Sequence, residues 1–343
     1  MKVTDFGTTP YGDKASLYTV SDGKFSFSVS DYGATLVNLF VPDKNGKPVD
    51  VILGYKSAKQ TNMIPRFCGA TVGRFANRIE NARYSANGRE YLLEANDGTS
   101  TLHGGKRGFS SRMFSAKEIK NGIKLSRRSP DGEDGFGGNL DISVSFTLKD
   151  GALHIRYEAV CDKDTPLNLT NHAYFNLYGC DSERLIDDLT VSINAECYCG
   201  SSGTPLPDGS IKPVRGTPMD LRKPVRIGDG IHSDFRDIRK FGGYDHAYII
   251  TKKTDGIEHA ADVYCAENGI YMECLTDMPA VQLYTRKPTK NAYMKYAPKK
   301  FYSALCLETE YCPNCLNYGY YPGDLQKAGE VFKSETIYIF TVK

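Results

Sequence analysis

The sequence of 343 residues has no excess of either charge, no long apolar run and no tryptophan. Lys and Arg number 43 against 41 Asp and Glu, so no net field would attract a nucleic acid or an anionic membrane. No run approaches the roughly 18 apolar residues of a membrane-spanning helix. The first residues, MKVTDFGTTPYGDK, lack the apolar stretch of a signal peptide. We therefore expect a cytoplasmic protein with neither nucleic-acid nor membrane partners.

The motifs of several reaction classes are also missing. There is no glycine-rich phosphate loop, no cluster with metal-ligand spacing and no GxSxG nucleophile elbow, so we predict a protein without metal or cofactor. Ten cysteines are present but scattered. Cys312 and Cys315 have the CxxC spacing of a redox or zinc pair, yet neither a second suitable pair nor a βαβ pattern accompanies them. We expect the cysteines to be reduced and to pack as small hydrophobic residues.

Apolar and polar residues alternate with the period of a β-strand along most of the chain. The stretch 142–148 alternates Ile, Val, Phe and Leu with polar residues, and Asp150-Gly151 then starts a turn. Further hairpin-type dipeptides are Asn45-Gly46, Asn87-Gly88, Asn121-Gly122 and Asn268-Gly269. These patterns predict an all-β fold, a large antiparallel β-sandwich with few short helices. Because no stretch of Pro, Gly or Ser is long enough to be a linker, we expect a single domain over residues 1–343.

The segment 168–179, NLTNHAYFNLYG, carries much hydrogen-bonding capacity for a strand. With a period of two, one face holds Asn168, Thr170, His172, Tyr174 and Asn176, and the other is mostly apolar and suits a core. Burying the polar set is costly unless every group finds a partner. One interpretation is a sugar cleft, because amides match vicinal hydroxyls and an aromatic ring matches a pyranose C–H face. The other is a strand that simply faces solvent.

Polar side chains interrupt apolar segments elsewhere too, at Asn77, Arg78, His103, Asp245, Gln282 and Glu308. His103 precedes two glycines, which allow a tight turn or a close backbone approach. Glu308 follows four residues of buried character, where burial would raise the pKa of a carboxyl and suit it to act as a general base near neutral pH. Arg74 and Arg78 also fit a pair of surface arginines, and Glu308 also fits a strand end in solvent. Strand order cannot be read from one sequence, so whether these residues meet stays open at this point.

Taken jointly, these segments resemble the aldose 1-epimerase family. The shared motifs, in the family's order over nearly the whole chain, are GRFANRI, NDGTSTLHGG, SPDGEDGFGGNL, LNLTNHAYFNL, GTPMDLR, GYDHAY, VQLYT and CLETE. The resemblance implies a galactose mutarotase-like supersandwich. It also implies an isomerase that interconverts the α and β anomers of free sugars such as galactose and glucose, without a metal or nucleotide.

The resemblance assigns roles to residues by motif. Glu308 matches the general base that removes the proton from the C1 hydroxyl, and His172 matches the general acid that protonates the ring oxygen. His103 matches a second histidine near the ring oxygen. The residues matched to sugar contacts are Arg78, with Asn77 beside it, Asp245 and Gln282. Tyr174 shares the predicted face of His172, and we expect it to line the cleft.

The chain departs from the common family pattern at some positions. Met113 and Phe114 stand where many relatives carry a tryptophan, which changes packing rather than chemistry. Glu310 stands where glutamine is usual, so an extra carboxylate lies near the predicted base in sequence. If the two carboxyls approach each other, the pKa of Glu308 would rise. We expect the consequence of these changes in the choice of sugar.

Three other functions compete with this prediction. A related enzyme on another sugar or a sugar phosphate is the first, although a phosphate calls for additional cations at the cleft rim. A non-catalytic sugar-binding protein could share the fold, but binding alone requires no acid–base pair such as His172 and Glu308. A glycosidase would need two carboxylates across the scissile bond, for which Asp245 and Glu308 are available. In each case we expect a small monosaccharide or glycoside as ligand, and a monomer or homodimer.

Overall fold

The computed structural model describes residues 1–62, 67–285 and 303–343. Within these ranges strands dominate, and they pair in antiparallel fashion apart from an isolated parallel bridge between Phe75 and Asn168. The helices found there are too short or too polar to span a bilayer. The prediction of an all-β antiparallel sandwich with few short helices is confirmed.

The largest sheet, which we call the long sheet, has nine strands. In its strand Leu140–Lys149 the apolar side chains are buried and most of the polar ones are not, as the alternation predicts. In sheet order the strands are Ser115–Ile119, Gly122–Ser129, Leu140–Lys149, Ala152–Cys161, Val331–Val342, Ile270–Thr276, Glu258–Tyr264, Thr190–Ile193 and Val225–Arg226.

A second sheet of seven strands carries most of the predicted site, and we call it the cleft sheet. In sheet order its strands are Pro207–Pro213, Cys197–Ser201, Asp245–Ile249, Ala280–Thr285, Leu305–Glu310, Tyr174–Phe175 and Ile52–Leu53. Every residue of Leu305–Glu310 is buried, so this strand is covered on both of its faces. Such a strand has one face for the core and another available to line a site.

Smaller sheets complete the strand inventory of the described residues. A five-stranded sheet consists of Lys2–Thr8, Lys14–Ser21, Ser26–Ser30, Thr35–Pro42 and Pro48–Asp50. The two-stranded pairs are Arg83–Ala86 with Arg89–Leu92, Arg78–Ile79 with Thr101–Leu102, Thr165–Pro166 with Leu325–Gln326, and Thr71–Val72 with Thr170–Asn171. The α-helices are Ile227–Ile231 and Arg236–Phe241. The 3-10 helices are Ala58–Asn62, Glu80–Ala82, Phe109–Ser111, Glu133–Gly135, Ile186–Asp188 and Cys315–Asn317.

Two of the predicted turn dipeptides have both residues in the left-handed region, as a two-residue hairpin turn of type I′ requires. Asn87 and Gly88 have φ values of 51° and 72° and join a two-stranded pair. Asp150 and Gly151 have φ values of 52° and 77° and join two strands of the long sheet. These hairpins are therefore local features that the sequence predicts correctly.

The main core lies between the cleft sheet and the long sheet. Tyr338 of the long sheet donates a hydrogen bond to the carbonyl oxygen of Leu307 at 2.9 Å, and its ring centroid lies 4.9 Å from that of Phe175. The hydroxyls of Thr309 and Thr336 are also hydrogen-bonded to each other. Since residues 305, 307 and 309 face the long sheet, the alternate residues 306, 308 and 310 point to the opposite side.

The segment 168–179 does not form the single strand that its period-two pattern predicted. Thr170–Asn171 pairs with Thr71–Val72, whereas Tyr174–Phe175 enters the cleft sheet between two other strands. Because the segment changes its pairing partners between residues 171 and 174, the period-two argument holds only within each short strand. His172 stands at this change of partner.

Candidate active site

The cleft sheet carries a row of polar side chains on the face that points away from the long sheet. Gln282 and Glu308 are direct cross-strand neighbours in the antiparallel register. Asp245 begins the adjoining strand, Asp245–Ile249, and its Oδ1 accepts a hydrogen bond from Gln282 Nε2 at 2.7 Å. The structure thus brings together three of the predicted site residues from three different strands.

Two histidines outside these strands reach Glu308. The distance from His172 Nε2 to Glu308 Oε2 is 3.6 Å. His103 follows the short strand Thr101–Leu102. One nitrogen of each imidazole and one carboxylate oxygen of Glu308 all lie within 4.8 Å of one another. The three side chains are buried, so this convergence is shielded from bulk water.

Burial dominates the protonation of the pair. It lowers the pKa of His172 to about 4, partly opposed by a hydrogen bond to the backbone. It raises the pKa of Glu308 well above its ordinary value, and the nearby Glu310 and Asp245 raise it further while Arg78 lowers it. At 3.6 Å the two groups have the spacing of an ion pair, yet both pKa directions favour a neutral acid beside a neutral imidazole.

The backbone around His103 is shaped by glycine. His103 itself has a φ of 53°, in the left-handed region that side chains other than Gly and Asn rarely adopt. A Cβ atom on Gly104 would lie 1.9 Å from the carbonyl oxygen of Gly73, so only glycine fits there. The close backbone approach predicted for this motif is confirmed. In this conformation the backbone N–H of Asn77 donates a hydrogen bond to His103 Nδ1 at 3.1 Å.

That hydrogen bond decides which way the His103 ring is protonated. Burial lowers the pKa of His103 well below its ordinary value, with the neighbouring His172 and Arg78 adding to the effect, so the ring is neutral at pH 7. Since Nδ1 accepts from the amide of Asn77, the proton stays on Nε2. His103 is then a hydrogen-bond donor at Nε2.

The two histidines and Glu308 have the composition of a zinc-binding set, but this tautomer does not suit metal binding. A metal ligand must present a lone pair, and Nε2 of His103 carries a proton instead. A second cluster, His259, Asp262 and Glu273, lies on the long sheet. There His259 Nε2 is already hydrogen-bonded to Asp262 at 2.9 Å. The donor set in the cleft therefore fits hydrogen bonding to hydroxyl oxygens better than it fits a metal ion.

Arg78 and Asn77 form the wall beside Glu310. Arg78 Nε donates to Asp97 Oδ2 at 2.7 Å, and its NH1 group donates to Asn77 Oδ1 at 3.3 Å. The other end of the same amide, Asn77 Nδ2, donates to Glu310 Oε1 at 3.0 Å. Burial raises the pKa of Glu310 to about 8, opposed by the Asn77 hydrogen bond and the charge of Arg78.

Aromatic rings fix the plane of the His172 imidazole. Phe67 and Tyr174 lie nearly parallel to it, with ring centroids 6.1 and 4.9 Å away. Tyr284 meets it edge-on at 6.2 Å. The Sγ atom of Cys306 lies 3.5 Å from Nδ1. These contacts leave Nε2 as the nitrogen directed at Glu308.

Asn168 and Asn176 form hydrogen bonds with the protein backbone and do not line the cleft. Asn168 donates to the carbonyl oxygen of Tyr311 at 3.3 Å and accepts from its N–H at 2.9 Å. Asn176 donates to the carbonyl oxygen of Ser303 at 3.0 Å. In this face, His172 and Tyr174 belong to the candidate site. The side-chain amides of Asn168 and Asn176 are already hydrogen-bonded to neighbouring backbone groups.

The model of the aldose 1-epimerase family matches residues 16–339. The chain belongs to the aldose 1-epimerase family. It is 36% identical to galactose mutarotase of Sus scrofa over 98% of this chain and 97% of that protein. It is 33% identical to aldose 1-epimerase of Escherichia coli over 91% of both. As a member of this family the protein is an isomerase.

Solved structures of the aldose 1-epimerase family have the same fold. The GalM/aldose epimerase homologue from C. elegans superposes with a TM-score of 0.87 at 28% identity, covering 96% of this chain and 99% of the other. Galactose 1-epimerase from Lactobacillus acidophilus gives a TM-score of 0.84 at 26% identity, covering 99% and 98%. The predicted family and its supersandwich are confirmed.

Three residues that contact the candidate site of this aldose 1-epimerase family member were not predicted as part of it. Asp97 lies in the same NDGTSTLHGG motif as His103, and an acidic residue there was the available signal. Phe67 and Tyr284 contact His172 through their rings, and nothing in their local sequence distinguishes them from ordinary core aromatics. Their contribution depends entirely on tertiary packing.

Proposed function

We propose that this isomerase interconverts the α and β anomers of free aldoses such as galactose and glucose by acid–base ring opening and reclosure. The observation that carries the proposal is the 3.6 Å distance between His172 Nε2 and Glu308 Oε2 in a buried site. Binding alone needs no acid–base pair, so this pair favours catalysis over a sugar-binding protein. The relatives named galactose mutarotase and aldose 1-epimerase support the same reaction.

In the proposed reaction Glu308 and His172 exchange protons with the sugar. Ionised Glu308 takes the proton of the C1 hydroxyl, the bond between C1 and O5 breaks, and protonated His172 gives its proton to O5. The products are the open-chain aldehyde, neutral Glu308 and neutral His172. Rotation about the C1–C2 bond presents the other carbonyl face, and both protons return as the ring closes. The pair holds one proton before and one after each step, so the cycle balances by itself.

The buried environment favours the protonation state that accompanies ring opening. Burial raises the pKa of Glu308 and lowers the pKa of His172, so it favours the neutral pair over the ion pair. The neutral pair is the state that accompanies the open-chain aldehyde, whereas the ion pair accompanies the closed ring. A site that favours the first state stabilises the open-chain intermediate relative to bound substrate, while the first proton transfer still starts from ionised Glu308.

We assign the grip on the sugar hydroxyls to the charged and amide groups around the pair. Arg78 offers fixed guanidinium donors, and Asp245 offers carboxylate acceptors. Gln282 Nε2 donates a hydrogen bond to Asp245, so the side-chain carbonyl oxygen of Gln282 is the atom that can accept from the sugar. His103 offers the donor at Nε2 to the ring oxygen side of the sugar. A hydroxyl that both donates and accepts is suited to such a mixed set.

Asn77 and Tyr174 receive supporting roles in this proposal. Both ends of the Asn77 amide are used within the protein, on Glu310 and Arg78, so we propose that Asn77 acts by holding the cleft wall. Tyr174 is buried and stacks on His172, so we propose that it orients the imidazole.

We further infer that the chain works as a single domain, because the main core includes residues from Val20 to Phe340. A cytoplasmic location, a monomeric or homodimeric state, and the lack of nucleic-acid and membrane partners stay predictions from the sequence.

The proposed function is tested by polarimetry on freshly dissolved α-sugars, with glucose, galactose, xylose and arabinose as substrates. We expect the wild-type protein to accelerate the approach to anomeric equilibrium. Glu308→Gln removes the base without changing its shape, so we expect kcat to fall at least about a hundredfold. A methyl glycoside has no C1 hydroxyl proton and should give no change, whereas a glycosidase would cleave it.

The matched control is Glu273→Gln, a substitution of the same kind on the outer face of the long sheet, where neighbouring residues 272 and 274 are buried in the core. This variant should keep the wild-type rate. A wild-type rate in folded Glu308→Gln would contradict the assigned mechanism, and a wild-type protein inactive on all four sugars would contradict the proposed function.

A further inference from the structure

Glu310 is a buried carboxyl that the proposed proton transfer does not use. It lies two residues from Glu308 on the same strand and therefore on the same face, with an exposed fraction of 0%. Its Oε1 accepts from Asn77 Nδ2, but its Oε2 is buried with no hydrogen-bond partner among residues 1–62, 67–285 and 303–343. A buried carboxylate with an unpartnered oxygen is far more costly than a neutral carboxylic acid.

The electrostatic surroundings of Glu310 also favour its protonated form. The titratable groups that interact with it electrostatically, from its own strand and from neighbouring elements, are Glu308, Asp245, Arg78 and the neutral thiols of Cys312 and Cys315. In this set the guanidinium of Arg78 is the one permanent cation, and it is already paired with Asp97. Glu308 and Glu310 are both buried beside this one guanidinium, and two coupled carboxyls in such a site are not both ionised at neutral pH.

Asn77 connects Glu310 to the rest of the cleft. Its Nδ2 donates to Glu310, its Oδ1 accepts from Arg78, and its backbone N–H donates to His103. An acceptor at Glu310 Oε1 therefore decides which end of the amide faces Arg78. If the amide turned over, its NH2 group would oppose the guanidinium and the wall would lose that hydrogen bond.

We propose that Glu310 is a positioning residue that stays protonated while the enzyme works and lowers the activity when it ionises. As a neutral acid it orients Asn77, and through it Arg78, and it leaves Glu308 as the carboxyl that exchanges protons with the sugar. Once ionised, it places a second negative charge beside Glu308, which holds the proton on Glu308 and removes the base. This inference rests on the proposed function and adds an alkaline limit to it.

The test compares kcat/KM of the wild type and Glu310→Gln from pH 6 to 9.5, with the spontaneous rate subtracted. Burial raises the pKa of Glu310 to about 8, so about one tenth of it is protonated at pH 9. We expect wild-type kcat/KM to fall about tenfold between pH 6.5 and 9. Glu310→Gln stays neutral and keeps an acceptor for Asn77, so it should match the wild type within about threefold at pH 6.5. Its alkaline fall should move to higher pH, where the pair of Glu308 and His172 loses its one proton.

Two further variants separate positioning from other roles. Glu310→Ala leaves Asn77 without its acceptor, so we expect a loss of kcat/KM at every pH that Glu310→Gln does not show. Glu273→Gln should keep the wild-type pH profile. The proposal is overturned if kcat/KM of folded Glu310→Gln falls over the same pH range as that of the wild type. It is equally overturned if folded Glu310→Gln is as inactive as Glu308→Gln, because Glu310 would then transfer a proton itself.

A measurement without substrate distinguishes a failure of this inference from a failure of the proposed function. In wild-type protein labelled with 13C at glutamate Cδ, we expect a carboxyl resonance that titrates above pH 7 and disappears in Glu310→Gln. If neither the wild type nor any variant accelerates the approach to anomeric equilibrium but this resonance is found, the proposed function fails while the ionisation of Glu310 stands. If no glutamate of the wild type titrates above pH 7, the inference is wrong whatever the activity.

Discussion

The guanidinium of Arg78 owes its direction to a residue at the rim of the cleft. Arg78 Nε donates to Asp97 Oδ2 at 2.7 Å, and the Asp97 side chain is 42% exposed. Water screens the charges of such a pair, so the Coulomb energy between them is small. The main effect of the hydrogen bond is to fix the orientation of the guanidinium. A flexible arginine side chain that is fixed before the sugar arrives loses less freedom on binding.

We expect Asp97→Ala to raise KM for the preferred aldose by up to about tenfold and to change kcat less, because the lost hydrogen bond releases Arg78 while Glu308 and His172 keep their contacts. Steady-state polarimetry measures both constants. Asp97→Asn is the matched control, since its amide oxygen can still accept from Nε, and it should stay closer to the wild type. Equal KM values for Asp97→Ala and the wild type would show that Arg78 is held by other contacts.

The buried side chain of Arg74 holds the loop 129–138 in place. Arg74 has an exposed fraction of 2%, and it donates to the carbonyl oxygens of Ser129, Gly137 and Gly138 at 3.0, 2.9 and 2.8 Å. The sequence was also compatible with a surface arginine here, and that interpretation is wrong. A segment rich in glycine and aspartate has little apolar surface to bury, so its carbonyl groups are satisfied by the guanidinium instead.

We expect Arg74→Lys to lower the free energy of unfolding by at least about 3 kcal/mol, because an ammonium group cannot reproduce the planar fork and leaves buried carbonyls without donors. Urea unfolding followed by circular dichroism measures the change. Arg83→Lys, in an ion pair with Glu90 in which both side chains are 53% exposed, is the control and should stay within about 0.5 kcal/mol of the wild type. Similar losses in the two variants would refute the role given to Arg74.

At the scale of the whole molecule, buried titratable groups set the pH range of stability. Burial lowers the pKa of His172 to about 4 and of His246 to about 3, and it lowers the pKa of His103 well below its ordinary value. Their neutral forms contribute stability that is lost as pH falls from about 6.5, where unfolded histidine takes up a proton. Glu308 and Glu310 have raised pKa values, so their contribution is lost as pH rises from about 4.5 through the folded values.

We therefore expect the free energy of unfolding to be largest near pH 6.5 and to fall on both sides, by roughly 1.4 kcal/mol per pH unit for each proton exchanged. Urea titrations between pH 4 and 9 measure this. Glu310→Gln should reduce the loss of stability that sets in as pH rises above about 4.5, so the alkaline side becomes flatter and the fall below pH 6.5 becomes steeper. Glu330→Gln, at an exposed position, should leave the profile unchanged. A stability that keeps rising to pH 9 would contradict the raised pKa values of the buried carboxyls.

The amino-acid sequence was sufficient to predict much of the local structure and the residue types of the candidate site. Period-two alternation indicated the strands, and turn dipeptides such as Asp150-Gly151 indicated hairpins, because these preferences are properties of neighbouring residues. The order of the motifs indicated the family, and with it the candidate pair His172 and Glu308. None of this required knowledge of which strands are neighbours.

The contacts that these residues make depend on the tertiary structure. The fold brings His172 Nε2 to 3.6 Å from Glu308 Oε2. Asn168 instead accepts a hydrogen bond from the backbone N–H of Tyr311, although both residues belong to the same predicted polar face. The fold also buries Glu310 against Asn77. Pairing between distant strands and the cost of burying a charge depend on contacts between residues far apart in the chain, and those are physical quantities that no local pattern contains.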